Sequence, residues 1–334
     1  MKTTFLCLAI LTLTSCSKSE KNSGDDPGKE SITWGPQPAL PVVNGEATFN
    51  LSASDSYVNV MGNTLPRMPI FPAIKAQPKK LRGFVADLSG KPLKGAYIGI
   101  RATLDGGLYS GASAETDEKG YYEIALPSGA IHFYAAGYNI TYGNTTTTVG
   151  LYAADGKADD FAYQNGAVEN FVLLSYGVAN AQQAEQMPGD EANYFGGALY
   201  FSYSVFDPTD ILHSFGELPL NAEIEIKLIP EGSGLYGENK TFIINKKVGN
   251  ANFSVTNIPV AQYQISARLK AGRQLRIKAI GPQTNNFPLL GLQPREALGT
   301  AKVLFTPLFH SQPSPTLPHT GNWRNVEIKF ELPE

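Results

Sequence analysis

Alternation of apolar and polar side chains at a period of two is the feature that most limits how this chain can fold. Ala96, Ile98, Ile100 and Ala102 are separated by Tyr97, Gly99 and Arg101. Successive side chains of a strand point to opposite faces, so this spacing places four apolar groups on one side of a half-buried strand. Ala222, Ile224, Ile226 and Leu228, interleaved with Glu223, Glu225 and Lys227, repeat the pattern far along the chain. The chain holds 33 glycines and 23 prolines, which recur at intervals too short for long helices. Such punctuation favours short strands joined by turns. The class expected is all-β.

Strands are predicted over 81–87, 96–102, 121–126 and 131–136, with a closing strand over 171–175. Asp117-Glu118-Lys119-Gly120 between two of them is a tight-turn sequence: Asp can bond its own backbone and Gly can take a positive φ. A second block begins near 218, with further strands over 241–244, 251–256, 263–269, 275–279, 301–305 and 326–332. Between the blocks, Asn180-Ala181-Gln182-Gln183 resembles a capping box and Pro188-Gly189 ends the run, which predicts one short helix near 180–187. The expected organisation is a signal over 1–15, a tether over 16–30, a proline-rich extended arm over 31–78, a β-sandwich over 79–176, a connector over 177–217 and a second β-sandwich over 218–334. The arm holds strand-like pieces at 47–51 and 57–61.

Two stretches of the first block carry a family resemblance. One is Gly83-Phe84-Val85-Ala86-Asp87-Leu88-Ser89-Gly90-Lys91-Pro92-Leu93-Lys94-Gly95-Ala96. The other is Thr116-Asp117-Glu118-Lys119-Gly120-Tyr121-Tyr122-Glu123-Ile124-Ala125-Leu126-Pro127-Ser128-Gly129, followed by His132-Phe133-Tyr134-Ala135-Ala136-Gly137-Tyr138. Together they resemble the carboxypeptidase regulatory-like domain, a seven-stranded transthyretin-like sandwich. The resemblance implies a fold and no activity, because modules of this kind serve many proteins. Phe253-Ser254-Val255-Thr256-Asn257-Ile258-Pro259 followed by Tyr263-Gln264-Ile265-Ser266-Ala267 echoes its second half, which implies a divergent second sandwich of similar kind.

Lys2, a short apolar run over 5–13 and the ending Leu13-Thr14-Ser15-Cys16 form an export signal. The run is far shorter than the roughly 20 residues of a membrane-spanning helix. The last four residues resemble the bacterial lipobox, in which the cysteine thiol accepts a diacylglyceryl group and becomes residue one. Cys16 is therefore the expected lipidation site, and two or three acyl chains give stable anchoring. Ser17 stands where an inner-membrane retention aspartate would be, so the expected location is the outer membrane of a Bacteroidota-type envelope. Cys7 lies inside the signal, which leaves no disulfide to the mature chain. Formal net charge is -3, and loss of Lys2 with the signal makes it more negative. Nothing in that balance calls for nucleic acid.

Chemistry-bearing motifs are sparse. His132, His213, His310 and His319 lack the spacing of a zinc hydrolase, and no nucleophile elbow, phosphate loop or dinucleotide fingerprint occurs. Asp155-Gly156-Lys157-Ala158-Asp159-Asp160 departs from the calcium-loop spacing. No metal or other cofactor is expected. Two groups of residues stand out as candidate ligand contacts. Tyr194, Tyr200 and Tyr203 lie in a segment crowded with aromatics, which stack on sugars if exposed and fill a core if buried. Arg268, Lys270, Arg273, Arg276 and Lys278 form a basic run that a hairpin near Gly272 could turn to one face for an anionic glycan, or that simply guards an exposed edge.

The function expected is that of a non-enzymatic envelope lipoprotein whose sandwiches bind a glycan or a protein. The alternatives are a structural accessory subunit of a transporter or adhesin, and a hydrolase, which would need a deep polar pocket with converging His, Asp or Glu. Replacing Cys16→Ser should leave the folded part intact and move the protein from the membrane fraction to the soluble one. Retention in the membrane fraction would contradict the anchor.

Overall fold

In the first block the alternating strand is the hub. The computed structural model describes residues 32–103, 107–209, 214–249, 252–281, 289–308 and 320–334. The signal, Cys16, the tether, His213, His310 and His319 lie outside these residues. Ala96, Ile98, Ile100 and Ala102 are fully buried, as the period-two spacing requires. Their strand, Tyr97–Thr103, sits between Tyr109–Glu115 and Ala130–Tyr142, and the sheet continues to Phe161–Ala162 and Thr145–Gly150. The facing sheet centres on Lys80–Asp87, flanked by Tyr121–Ala125, Ala167–Val168 and Phe171–Leu173, with Tyr152–Ala153 at its edge. The 117–120 turn forms as its sequence demands. Asp117 Oδ1 accepts the backbone N–H groups of Lys119 and Tyr121 at 2.8 and 3.0 Å. Gly120 has φ +70°, and a Cβ there would lie 2.4 Å from the Val85 carbonyl oxygen.

The second block is also a sandwich. One sheet runs Asn44–Leu51, Asn239–Lys247, Glu223–Pro230, Tyr263–Leu269, Thr300–Leu304, Gly291–Gln293. The other runs Tyr57–Asn59, Phe253–Ile258, Gly197–Ser202, Trp323–Glu331, Arg276–Ala279, Glu296–Leu298, with Thr306–Pro307 beside Trp323–Glu331. Among the described residues the fold is thus all-β with one short α-helix, Ala181–Gln186, capped by Asn180 Oδ1 on the Gln183 N–H at 3.0 Å.

Two segments expected to lie outside the second sandwich are strands of it. Asn44–Leu51, from the arm, pairs in parallel with Asn239–Lys247, and Tyr57–Asn59 pairs in parallel with Phe253–Ile258. Gly197–Ser202, from the connector, lies between Phe253–Ile258 and Trp323–Glu331. The arm also touches the first sandwich: the Trp34 indole N–H donates to the Lys119 carbonyl at 3.1 Å, and its ring stands edge-on to Phe84 at 5.7 Å. A proline-rich stretch reads as extended but names no partner, and parallel pairing across some 200 residues leaves no local mark.

Residues 32–334 form one compact unit, and one hydrophobic cluster runs through both sandwiches. The junction is polar as well as apolar. Tyr142 is buried, donates its hydroxyl to the Ala261 carbonyl at 3.1 Å and accepts the Phe305 N–H at 2.8 Å. Its ring lies 5.1 Å from that of Trp323, whose indole N–H donates to the Phe195 carbonyl at 3.0 Å. Beside it the Asn322 amide reads both backbone groups of Gly150, at 2.6 and 3.3 Å. Gly177 N–H donates to Asn257 Oδ1 at 2.8 Å, and Tyr236 donates to the Leu173 carbonyl at 2.5 Å.

Lys246 fixes the arm from below. Its side chain is fully buried, and Nζ donates to the carbonyls of Ser52, Ala53 and Asp55 at 2.6, 3.1 and 2.7 Å. Burial holds its ammonium below the usual lysine pKa. Lys246→Met keeps the stem but leaves three carbonyls without their donor. A loss of about 3 kcal/mol in urea unfolding is expected. A loss under about 0.5 kcal/mol, the scale of an ordinary surface change, would show that strand pairing alone holds the arm.

Candidate functional site

The polar half of the 96–102 alternation faces outward and carries the most developed surface of the first sandwich. Tyr97, Gly99, Arg101 and Thr103 lie opposite Glu115, Ser113, Gly111 and Tyr109 of the neighbouring strand, and cross-strand partners share a face. On the other side Arg101 lies opposite His132. The register then shifts between Gly99 and Ile100, which leaves Tyr134 as the extra residue of a bulge. Bulges re-aim side chains. Here the Tyr134 ring lies over Gly99, where a Cβ would stand 2.6 Å from it.

The tyrosines and the arginine form a row. The hydroxyls of Tyr97 and Tyr134 are 2.7 Å apart. The Arg101 guanidinium carbon is 4.8 Å from the Tyr134 ring centre and 5.4 Å from that of Tyr109. Tyr109 is 62% exposed, and Tyr97 and Tyr134 are half-buried. Burial pushes the Tyr134 phenol up to about 12; the Tyr97 hydroxyl adds to this and Arg101 opposes it. The Tyr134 hydroxyl therefore stays protonated at neutral pH. A Cβ on Gly111 would meet only the Ile100 carbonyl, at 3.5 Å, so the ground beside Arg101 is open. Flat rings, hydroxyls and a planar cation over a small-residue floor can stack on and hydrogen-bond a polyhydroxylated ring.

His132 borders the row. Its Nδ1 lies 2.6 Å from Asp160 Oδ1, and its Nε2 lies 3.4 Å from Thr103 Oγ1. The order hydroxyl, imidazole, carboxylate is that of a hydrolase triad. The hydroxyl contact is long, however, Asp160 is 60% exposed, and none of the described cavities lies over it. A triad works with a shielded base and donors aimed at a developing oxyanion. This set has the connectivity alone.

The residues singled out from sequence fall elsewhere. Tyr194 and Tyr203 are core residues, so they are not a stacking surface. Tyr194 donates its hydroxyl to the Pro188 carbonyl at 2.9 Å, beside an open cavity of about 580 Å³ walled by Ser54, Asp55, Tyr57 and Asn59. Tyr200 is half-buried and accepts from Asn252 at 3.0 Å. The cause is topological: Gly197–Ser202 is an interior strand, and Phe201 packs inward, stacked on Phe330 at 4.9 Å. The basic run is not one free face either. Arg268 and Lys270 leave the strand Tyr263–Leu269, while Arg276 and Lys278 belong to Arg276–Ala279 of the opposite sheet. Glu225 pairs with Arg268 at 2.8 Å, Glu223 with Lys270 at 2.8 Å and Glu296 with Arg276 at 3.3 Å. Arg273 donates to the Pro333 carbonyl. Lys278 lies opposite Lys329 and Glu296.

Among the described residues no group of three His, Cys, Asp or Glu side chains is placed to hold a metal ion. In the 155–160 loop, Asp155 Oδ1 accepts the Lys157 N–H at 2.8 Å and Asp160 serves His132.

Comparison with family models gives no match, and comparison with curated proteins gives none. Among solved structures, the Bacillus anthracis TIE protein matches at 13% identity over 75% of this chain and 34% of that one, with a TM-score of 0.25. The Streptococcal ancillary pilin matches at 11% over 73% and 62%, with a TM-score of 0.22. The shaft pilin spaA from Lactobacillus rhamnosus GG matches at 12% over 59% and 90%, with a TM-score of 0.18. The chain spans about a third of the first protein and under two thirds of the second. Likeness this slight carries nothing about activity or partner.

Glu169, half-buried between the sheets' edges and this loop, has its carboxyl pushed up to about 8 by burial, with Asp155 and Asp159 adding to it. A carboxyl raised on folding contributes stability that is full below its unfolded pKa, near 4.5, and is lost as pH rises through about 8. Glu169→Gln should therefore melt with the parent at pH 4 and above it at pH 9. Parallel melting curves across that range would show that water reaches the carboxylate freely.

Proposed function

We propose that this chain is a non-enzymatic, lipid-anchored component of a bacterial cell envelope that binds a glycan on the outer face of its first sandwich. The observation that carries the binding part is the row Tyr97, Tyr134, Arg101 and Tyr109 on one open sheet face. Aromatic rings left at a surface offer apolar area with hydroxyls at their tips, the combination a sugar ring needs. The anchor through Cys16 rests on the lipobox, the outer-membrane location on Ser17 beside it, and membership of the carboxypeptidase regulatory-like family on the two stretches of sequence that resemble it. The fusion of the sandwiches supports a display role, since a body without an internal hinge presents its face in one orientation.

The same fusion favours a second reading, a rigid accessory subunit within a larger envelope complex. Co-purification from membranes with a stoichiometric protein partner would separate it from the glycan reading.

The test is a glycan array probed with the chain carrying Cys16→Ser, alone and with Tyr97, Tyr109 and Tyr134 all replaced by Ala. Specific glycans should be retained by the parent and weakened at least about tenfold in the triple variant, roughly 1.4 kcal/mol. Tyr194→Phe, which removes only a core hydroxyl, should bind as the parent does. Equal binding by parent and triple variant, or no retained glycan, would overturn the proposal.

A further inference from the structure

Arg101 differs from the surface cations that are paired with acids. Arg268, Lys270, Arg276, Lys80 and Lys94 each reach a carboxylate within 3.3 Å. Arg101 is exposed, and no carboxylate among the described residues pairs with it. Asp160, bordering the row, is engaged by His132 at 2.6 Å. Glu115 lies opposite Tyr97, four residues along the strand from Arg101.

Arg101 is nevertheless held. Its guanidinium packs on the rings of Tyr134 and Tyr109, and Tyr134 is fixed in turn by the Tyr97 hydroxyl and by the glycine beneath it. Packing of this kind covers the face of a guanidinium and leaves its rim of N–H groups for an acceptor. A planar fork held in place matches a carboxylate with two parallel hydrogen bonds. The open floor at Gly111 and Ser113 lies beside it, where a pyranose can rest against Tyr109.

The geometry points to a carboxylated glycan as the ligand of this face, with Arg101 as the residue that reads the uronate carboxylate. The inference rests on the glycan-binding proposal and adds the charge of the ligand to it. Stacking on tyrosine takes neutral and acidic sugars alike, whereas a cation at the centre of the row discriminates between them. Charge complementarity also makes such binding dependent on salt.

Titration of the full chain carrying Cys16→Ser tests it, using a panel of oligouronates led by tetragalacturonate, the methyl esters of the same oligomers, and neutral cello- and malto-oligosaccharides. The esters keep the rings and remove the charge. The acid form should bind at least about tenfold more tightly than its ester, and rising salt should narrow the gap. Arg101→Gln should abolish the preference while leaving the weaker binding of the neutral forms. Arg101→Lys, which keeps the charge without the fork, should fall between. Tyr134→Ala should weaken acid and ester together. If acid and ester bind the parent equally and Arg101→Gln changes nothing, the inference fails and the glycan proposal survives. If no oligouronate binds while a neutral glycan does, the inference likewise fails. If no saccharide of either kind binds, both fall.

Discussion

One buried hydroxyl, that of Tyr142, ties the two halves of the molecule together. It sits at the end of a strand from the first sandwich and satisfies a carbonyl and an N–H of the second. Each of those backbone groups would otherwise be buried without a partner, so separating the sandwiches costs hydrogen bonds as well as apolar contact. Trp323 and Phe305 close round the ring, and Asn322 does for Gly150 what a neighbouring strand would do. The junction is therefore built like the interior of a domain, whereas contacts between jointed modules are usually smaller and wetter. The constant orientation of the outer tyrosine face relative to the second sandwich follows from it.

That face depends on two local departures from a regular sheet. The bulge adds Tyr134 to the outer side, and the missing side chain at Gly99 lets its ring lie down. Any larger residue at 99 would lift the ring and take away one wall of the arginine's seat. The His132 and Asp160 pair shows how surface polar groups can resemble machinery: the sequence of contacts is present, but the hydroxyl contact is long and the carboxylate is exposed.

The period-two spacing made the strands legible, down to the burial of Ala96, Ile98, Ile100, Ile224, Ile226 and Leu228. So did the Asp117 turn and the Asn180 cap, because each is a contact within four residues. Long-range parallel pairings were not legible. The arm and the connector gave up three strands to the second sandwich on the strength of partners about 130 to 200 residues away. The site suffered in the same way. Tyr97 and Arg101 were visible as the polar half of a strand, yet Tyr109 and Tyr134 join them only through pairing and a bulge. Density of aromatics drew attention to 194–206, and density marks a core at least as well as a surface. The basic run misled for a related reason: its charges follow one another in sequence, while their acidic partners come from other strands.

The arm strand has a mechanical consequence. Asn44–Leu51 lies along Asn239–Lys247 in parallel, and the chain reaches it from the side of residue 32. Tension applied through that side acts along the strand axis and across the rungs of the ladder. All rungs then share the load in shear, where a pull at right angles would open them one after another like a zip. The Lys246 clamp lies just past the far end of the strand, at Ser52, Ala53 and Asp55, and blocks the slide that shear would otherwise produce. A pull from the N-terminal side thus meets a whole ladder and its clamp together.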